Sequence, residues 1–463
     1  MPAPKERTEI RIQSERVVVA AVRLPDSTYD RLDPFGELRS LAEQAGAVVV
    51  GELTQSLDRP VAGTYMGKGK LEELRGLCEA LDARTIIFDH ELSPKQIANI
   101  EEATGRKVLD RSELILDIFA SRATTHEAKL QVELAQLEYT YPRLRAMWDH
   151  LERIVGRAGI GGIGTRGPGE QQLEIDRRLA QRKRLDLQSR LAEIQARKRR
   201  EVRERKVDFF TVGLVGYTNA GKSTLFNALT AGGAYADDRP FATLISRTRQ
   251  WDLGGGLSVM LSDTVGFVRD LPTNLIASFR ATLEEATHAD LLLVVLDVAD
   301  QAAQLQHATV TQTLGDIFAE VEARERREGA EWSPPQTVLL LNKIDRLKDN
   351  REVLAWQSTH PEAIALVGRD PTHPGHEALR ERVRAAVRGP IEDLRLTVPL
   401  ADARTIHTIE NRAEVLDRAY HDADASVTLH VRIGRRQLDQ LRSAGARIRV
   451  EDDGVRPPST ARR

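Results

Sequence analysis

The sequence has little cysteine, little net charge and no long apolar run. Cys78 is the one cysteine among 463 residues, which excludes an internal disulfide and suits a reducing compartment. The longest apolar run, Leu291 to Leu296, is far too short to span a membrane. A net charge of −2 excludes a basic field over the whole surface, so any nucleic-acid contact must come from local clusters. Met1 to Val17 lacks the apolar core of a signal peptide, so we expect a cytoplasmic protein.

What is present is a phosphate-binding pattern, G-x-x-x-x-G-K-[ST]. Eight consecutive residues match it: Gly216, Tyr217, Thr218, Asn219, Ala220, Gly221, Lys222 and Ser223. A β-prone run precedes the loop and a helix-like run follows it, as the motif requires. The loop's N–H groups would surround phosphate oxygens at the positive end of that helix. Lys222 would reach the β- and γ-phosphates and Ser223 would bind Mg²⁺, whereas the alternative is a glycine turn before an ordinary helix.

Two further motifs follow in the order expected of a nucleotide domain. Asp263-Thr264-Val265-Gly266 ends an apolar strand, where Asp263 would hold Mg²⁺ through water and the Gly266 N–H would contact the γ-phosphate. Asn342-Lys343-Ile344-Asp345 follows a second apolar strand. The Asp345 carboxylate can accept both N1–H and N2–H₂ of guanine, which favours GTP over ATP. The alternative for these four residues is a charged turn after a strand.

A polar-flanked segment between the loop and Asp263 is a candidate switch. It contains Phe241, Ala242, Thr243, Leu244 and Ile245. We predict that Thr243 is the second Mg²⁺ ligand and folds over only when a γ-phosphate is present. Lys222, Thr243 and Gly266 are therefore the predicted catalytic residues.

Position 267 holds phenylalanine, where many GTPases have a glutamine that orients water. Because phenylalanine cannot orient a water, intrinsic hydrolysis should be slow unless an ion or a partner supplies the missing group. Asn219 either helps to hold a potassium ion beside the phosphates or only shapes the loop. Turnover in potassium and sodium buffers separates the two, and equal rates would exclude the ion.

Upstream, four short apolar runs alternate with helix-like segments, which predicts a small parallel sheet. The runs are 17–22, 47–50, 85–88 and 107–109, with helices near 36–45, 70–82 and 93–104. Asp89 and Asp110 follow two of the strands, where ligands often lie in open α/β sheets. The segment Gly67-Lys68-Gly69-Lys70 could hold an anion, but a solvated turn is the favoured interpretation.

Two helical stretches flank a glycine-rich segment, which predicts an antiparallel helical hairpin. Leu130, Leu134, Leu137 and Tyr141 form one apolar stripe, and Pro142 should kink or break that helix. Residues 156–170 include seven glycines, a density that no helix or strand should tolerate. The second helix carries thirteen Lys and Arg against four Asp and Glu between Arg177 and Lys206. We favour RNA contact over a merely solvated face, through backbone and shape because aromatics are few.

The remaining C-terminal residues predict a small α+β domain. Strands are expected at 394–400, 426–433 and 446–450, and a helix at 405–420. The fold class is therefore α/β: a P-loop GTPase domain, an N-terminal α/β domain with a long helical hairpin, and a small C-terminal α+β domain. The predicted boundaries are 1–110 for the N-terminal domain, 111–206 for the hairpin, 207–390 for the GTPase domain, 391–453 for the C-terminal domain and 454–463 for a disordered tail.

Taken together, the motifs resemble the HflX family of translational GTPases. The GTPase-domain motifs match that family, and more specific matches lie upstream: Tyr65 to Lys70, Asp110-Arg111, Leu114 to Phe119, Gln131 to Leu137, Gly164 to Glu170 and Asp176 to Arg178. The resemblance implies a GTPase that binds the large ribosomal subunit and its rRNA and splits or rescues stalled or idle ribosomes. We expect it to be monomeric off the ribosome. Family members can also bind ATP, so the N-terminal domain is a second candidate nucleotide site.

Two positions depart from the family pattern. Ile245-Ser246 stands where the family usually has Asp-Pro, which implies a different switch movement. Leu366, Val367 and Gly368 align with the guanine-contacting segment, but Val367-Gly368 replaces the family's Ser-Ala. A backbone N–H could still contact guanine O6, while lost side-chain support would weaken nucleotide affinity.

Two functions fit these observations. The first is an enzyme used as a switch, in which GTP fixes the protein on the ribosome and hydrolysis releases it. The second is an RNA-binding remodelling or assembly factor, in which the GTPase domain only controls residence time. A GTPase for tRNA modification or iron transport would need cysteines or membrane spans near the GTPase domain, and the sequence has neither there.

Overall fold

The computed structural model describes most of the chain. Its described residues are 15–157, 168–230, 247–269, 285–329, 332–421, 424–442 and 446–451, except 26, 28, 31, 436, 437, 439 and 440. These residues form three sheets, joined by helices, and the predicted α/β fold class is confirmed. Within them, no helix is both long and apolar enough to cross a membrane.

The N-terminal sheet is parallel, with strand order β2-β1-β3-β4. Its elements are β1 (Glu15–Arg23), α1 (Gly36–Gln44), β2 (Ala47–Ser56), α2 (Lys68–Ala80), β3 (Thr85–Phe88), α3 (Pro94–Thr104) and β4 (Lys107–Asp110). α3 begins with a capping box, in which Ser93 and Gln96 satisfy each other's backbone N–H groups. Because α2 begins at Lys68, the Gly67–Lys70 segment forms the start of that helix, with Gly67 as its N-cap.

Three helices follow: α4 (Arg111–Arg122), α5 (His126–Arg157) and α6 (Pro168–Asp208). α5 and α6 form the predicted antiparallel pair, with Leu130 and Leu134 packed against Leu187 and Leu191. Of the predicted kink or break at Pro142, the break does not occur, because α5 continues through this residue. Proline costs a helix about 3 kcal/mol, and we attribute the tolerance to the packing of α5 on both α4 and α6.

The glycine-rich segment at 156–170 is only partly described. Gly156 and Arg157 still belong to α5, and α6 already begins at Pro168, so the prediction that no helix enters this segment is wrong at both ends. Proline suits the first turn of a helix because its missing N–H would have no partner there. Residues 158–167 lie outside the described part of the chain.

The central sheet has the order β10-β9-β8-β5-β7-β6 and is parallel except for β6. Its elements are β5 (Thr211–Gly216), α7 (Lys222–Leu229), β6 (Arg247–Gly254), β7 (Leu257–Asp263), β8 (Leu291–Asp297), α8 (Ala303–Arg327), β9 (Gln336–Asn342), α9 (Arg351–Thr359), β10 (Ile364–Ala365) and α10 (Pro374–Arg388). β5 and β8 are buried along their whole lengths, as expected of strands covered on both faces. Sequence reasoning missed the edge strand β6, which buries Trp251 and Leu253.

The C-terminal sheet is antiparallel, with order β12-β13-β11-β14. Its elements are β11 (Ile391–Pro399), α11 (Ala403–Arg412), β12 (Glu414–His421), β13 (Ser426–Gly434) and β14 (Arg449–Glu451). The predicted helix over 405–420 is wrong in its second half, because residues 414–421 form β12. Pairing with β13 is a non-local interaction that overrides the local helical preference of this segment.

Candidate functional site

The predicted phosphate loop connects the centre of the sheet to a helix. β5 ends at Gly216, and α7 starts at Lys222 with Gly221 as its N-cap. Gly216 has a φ of +151°, and a Cβ there would lie 2.2 Å from the Val295 carbonyl oxygen. Since such an approach is impossible for a side chain, this position requires glycine. The loop therefore leaves β5 pressed against β8, with the helix N-terminus directly behind it.

Lys222 is buried in this loop. Its Nζ donates to the Gly216 carbonyl at 3.1 Å and to the Tyr217 carbonyl at 2.7 Å. An ammonium has three N–H donors, so the same nitrogen can serve one further acceptor, such as a phosphate oxygen. Burial lowers the pKa of Lys222 to about 8, although the nearby Asp263 carboxylate acts in the opposite direction. A bound phosphate would supply the negative charge that this buried ammonium needs.

The predicted magnesium ligands Ser223 and Asp263 lie side by side. The Ser223 hydroxyl donates to Asp263 Oδ2 at 2.7 Å, and Asp263 ends β7 next to the loop that follows β5. Hydroxyl and carboxylate oxygens are the hard ligands that Mg²⁺ prefers, so these two residues fit the ion. The third predicted ligand, Thr243, lies outside the described residues, as do Phe241, Ala242, Leu244 and Ile245.

The segment after Asp263 pairs with the phosphate loop. Thr218 N donates to the Phe267 carbonyl at 2.8 Å, and Phe267 N donates to the Gly216 carbonyl at 3.0 Å. A Cβ on Gly266 would lie 2.9 Å from Thr218 Cγ2 and 3.0 Å from Lys222 Nζ, so this position also has no room for a side chain. The two predicted phosphate-contacting segments are therefore held together by their backbones.

The side chains at 264, 265 and 267 point away from this pairing. Thr264 is buried and its hydroxyl donates to the Leu214 carbonyl at 2.6 Å. Val265 packs in the core of the N-terminal domain, and Phe267 packs in an apolar cluster with Val215 and Tyr217. Only the backbone of these residues can face a nucleotide, and Phe267 has no group with which to orient water.

The third motif, at the end of β9, contacts the phosphate loop across β8. Asn342 Nδ2 donates to the Ala220 carbonyl at 2.8 Å, and Lys343 Nζ donates to the Asn219 carbonyl at 2.6 Å. Lys343 Nζ also binds Asp297 Oδ2 at 2.7 Å. Sequence reasoning missed Asp297. The available signal was its position, because it ends an apolar strand as Asp263 and Asn342 do.

The segment at 366–368 lies beside this motif. Leu366 N donates to the Leu341 carbonyl at 2.9 Å, and Gly368 N donates to Asn342 Oδ1 at 2.8 Å. Asp345 lies in a short 3-10 turn, Ile344–Arg346, and pairs with Arg369 at 2.7 Å. The residues predicted to lie around the guanine base, 342–345 and 366–368, are therefore together at one edge of the sheet.

A buried charged network joins this site to the N-terminal domain. Arg111 binds Asp89 at 2.7 Å and Glu37 at 2.8 Å, and it donates twice to the Arg269 carbonyl. Arg269 in turn binds Asp89 Oδ2 at 2.8 Å, and its N–H donates to the Tyr217 hydroxyl at 2.8 Å. Tyr217 of the phosphate loop also donates to Glu37. The segment following Gly266 is therefore clamped between the phosphate loop and the N-terminal sheet.

The network explains two perturbed side chains. Burial by itself raises the pKa of Asp89, but Arg111, Arg269 and His90 more than offset this, so the pKa lies below its usual value. Burial and the Glu37 carboxylate raise the pKa of Tyr217 well above its usual value. Sequence reasoning placed Asp89 at a strand end but missed Glu37 and Arg269, because no local pattern connects residues this far apart.

Sequence profiles of three families match consecutive parts of the chain. They are described as GTP-binding GTPase N-terminal over residues 33–120, GTP-binding GTPase Middle Region over residues 122–206, and 50S ribosome-binding GTPase over residues 211–343. Together they span most of the N-terminal sheet, the helical hairpin, the first two nucleotide motifs and the start of the third.

Individual relatives agree with these profiles. A GTPase HflX of Lacrimispora saccharolytica is 46% identical over 67% of this chain and 73% of its own. The GTPase HflX of Escherichia coli is 38% identical over 88% of this chain and 91% of its own. A crystal structure of SsGBP with GDP aligns with 80% of this chain and 97% of its own, at 24% identity and with a TM-score of 0.43. The profiles and the HflX relatives show that the chain belongs to the HflX family of GTP-hydrolysing enzymes.

Proposed function

We propose that this GTPase acts on the large ribosomal subunit and uses GTP as a switch to split or rescue stalled or idle ribosomes. The observation that carries the proposal is one shared apolar cluster. Val265 and Val268, on either side of Gly266 and Phe267, pack with Val132, Ala135 and Tyr139 of α5. A change in the segment that senses the γ-phosphate would therefore be felt at the base of the helical hairpin.

The hairpin is the proposed RNA-binding part. α6 carries the excess of Lys and Arg, and phosphate backbones attract such clusters. The match of residues 211–343 to the family described as 50S ribosome-binding GTPase supports the large subunit as the partner. We also propose that the protein is cytoplasmic and that it is monomeric when it is not bound to the ribosome.

In the GTPase site, we assign each predicted residue a role. Lys222 binds the β- and γ-phosphates, the Gly266 N–H contacts the γ-phosphate, and Ser223, Thr243 and Asp263 hold Mg²⁺. When bound, Mg²⁺ neutralises charge on the phosphate oxygens. Asp345 accepts the two guanine donors, while Asn342 and Lys343 hold the loop beneath the base. Asn219 remains the candidate for a potassium ion.

Hydrolysis by this site alone should be slow, because the buried Phe267 leaves water without an orienting side chain. The test is GTP turnover by the purified protein, alone and with large ribosomal subunits. Strong stimulation by the subunits supports the proposal. Binding without stimulation supports the second candidate, an RNA-remodelling factor, which the net basic charge of α6 favours. If the protein does not bind the large subunits and its turnover is not stimulated by them, both candidate functions are contradicted.

The variant Lys222→Ala separates the two candidates further. Losing the buried ammonium should lower turnover by about a hundredfold or more, because charge stabilisation at the phosphates is lost. If ribosome splitting stops with it, the switch proposal holds. If splitting continues at the same rate, binding energy from the hairpin does the work.

A further inference from the structure

The guanine-reading carboxylate is held by an arginine that sequence reasoning did not select. Asp345 Oδ2 accepts from Arg369 Nη2 at 2.7 Å. The Asp345 side chain is 24% exposed and that of Arg369 is 73% exposed, so the pair lies at the open edge of the site. Within the described residues, Arg369 is the side chain that binds this carboxylate.

A carboxylate that reads guanine must hold a defined orientation. It has to offer one oxygen to N1–H and the other to N2–H₂ at the same time, as a bidentate acceptor. The terminal torsion of aspartate is broad, so an unsupported carboxylate rotates among many orientations. Lys343, the cation within the motif, contacts Asp297 and the Asn219 carbonyl instead, through its Nζ.

The backbone before Arg369 is fixed in place. Gly368 N donates to Asn342 Oδ1 at 2.8 Å, so this segment is tied to the same motif that contains Asp345. The Val367 carbonyl accepts from the buried His376 Nε2 at 3.0 Å and from Asp370 N at 3.0 Å. Arg369 therefore projects from an anchored turn, although its own side chain is exposed.

The neighbours of Arg369 cannot take its place. Val367 has an apolar side chain and Gly368 has none, so neither can donate to a carboxylate. Arg369 is the first residue of this turn with side-chain donors. Its planar guanidinium can bind one oxygen of Asp345 from the outer side and leave the remaining lone pairs for the base.

We propose that Arg369 is a specificity-determining residue, whose guanidinium holds Asp345 in the orientation that accepts guanine. This inference rests on the proposed role of Asp345 as the guanine reader. It also compensates for the Val367-Gly368 departure, because Arg369, the next residue, provides the side-chain support for the guanine site.

The experiment measures binding of GDP and of inosine diphosphate, which lacks the 2-amino group, to the full-length protein. Arg369→Ala should weaken GDP binding about three- to tenfold, the range for an exposed but charge-assisted contact. The preference for GDP over inosine diphosphate should fall as well, because a misoriented carboxylate loses the N2–H₂ contact first. Arg369→Lys should restore part of the preference, and added salt should reduce the difference between the natural protein and Arg369→Ala.

Arg382→Ala is the matched control, since Arg382 also makes an exposed pair, with Glu362 at 3.4 Å, but does not contact Asp345. It should change neither affinity nor preference. Asp345→Asn distinguishes failure of the proposed guanine site from failure of the proposed role of Arg369. If Asp345→Asn leaves the guanine preference intact, the proposed base site is wrong and this inference is wrong with it. If Asp345→Asn abolishes the preference while Arg369→Ala leaves it unchanged, or tightens GDP binding, only the role of Arg369 is wrong.

Discussion

The two parallel sheets of this protein use the same edge in different ways. In the central sheet, Asp263, Asp297 and Asn342 end β7, β8 and β9 and hold the phosphate loop or its motifs. In the N-terminal sheet, Asp89 follows β3 at the corresponding carboxyl end, and its partners are Arg111 and Arg269. One edge is arranged for a nucleotide, and the other binds an arginine from the GTPase domain itself.

The two sheets differ in what occupies the crevice at the carboxyl ends of their strands. Open α/β sheets bind ligands outside the carboxyl ends of their strands, where the order of connections reverses. In the order β2-β1-β3-β4 that point lies between β1 and β3, directly before Asp89. Here Arg269, three residues after Gly266, approaches that point. The rule therefore locates the crevice correctly but does not say whether its occupant is a small molecule or a side chain.

The largest expected effect comes from breaking the N-terminal crevice. Arg111 is fully buried between Asp89 and Glu37, so Arg111→Leu would leave carboxylates without their main partner. Removing one partner of a buried pair typically costs about 3–5 kcal/mol in free energy of unfolding. Urea unfolding measures this directly.

Arg39→Leu is the control for that measurement. Arg39 also binds two carboxylates, Asp33 and Glu52, but on the surface. Its loss should cost about 1 kcal/mol or less. Equal destabilisation by the two variants would show that burial of the network contributes nothing special.

The next effect comes from the nucleotide crevice. Gly266→Ala would push a methyl group against Thr218 and Lys222 Nζ, displacing the groups proposed to contact the γ-phosphate. A displacement of this kind can lower turnover about a hundredfold. Gly315→Ala in α8 is the control, because a Cβ there meets nothing within 4 Å and turnover should be unchanged. Normal turnover by Gly266→Ala would contradict the assigned role of this residue.

A smaller effect tests the link between the two crevices. Tyr217→Phe removes the hydroxyl that binds both Glu37 and the Arg269 N–H. Glu37 also accepts from that N–H at 3.3 Å. We therefore expect the free energy of unfolding to fall by only about 1 kcal/mol. Hydrogen exchange at the Arg269 amide should become faster. Tyr420→Phe, on an exposed strand, should leave that exchange as it was, and unchanged exchange in Tyr217→Phe would show that the hydroxyl is dispensable.

The smallest effect is a pH dependence at His90, which lies beside Asp89. Burial is the main cause that lowers the pKa of His90, with Arg23 and Arg269 acting in the same direction and Asp89 opposing them. Since the unfolded chain then binds the proton more readily, stability is complete above the unfolded pKa of about 6.5 and falls as pH drops below it. His90→Gln keeps an acceptor for the Val22 N–H and should flatten this dependence. Identical pH profiles of the melting temperature would contradict the assignment.

The sequence was sufficient wherever structure is decided locally. The phosphate loop, the strands before Asp263 and Asn342, and the alternating elements of the N-terminal sheet follow from short apolar runs and glycine spacing. Strand β12 was mistaken for helix because its pairing with β13 is non-local. The contacts of Asp89 with Arg269 and of Asp345 with Arg369 also join distant parts of the chain, so no local pattern could indicate them.

The hairpin also has a mechanical consequence. α5 is held at its base by Tyr139, whose hydroxyl binds Asp110 at 2.6 Å, and by the cluster that includes Val265 and Val268. From Tyr139 to the end of the helix at Arg157 the backbone extends about 27 Å as one continuous helix. Each degree of tilt at the base therefore moves the far end by about half an ångström. A rotation of about six degrees beside the segment proposed to contact the phosphate becomes, at the far end of α5, a displacement of about 3 Å, the diameter of a water molecule.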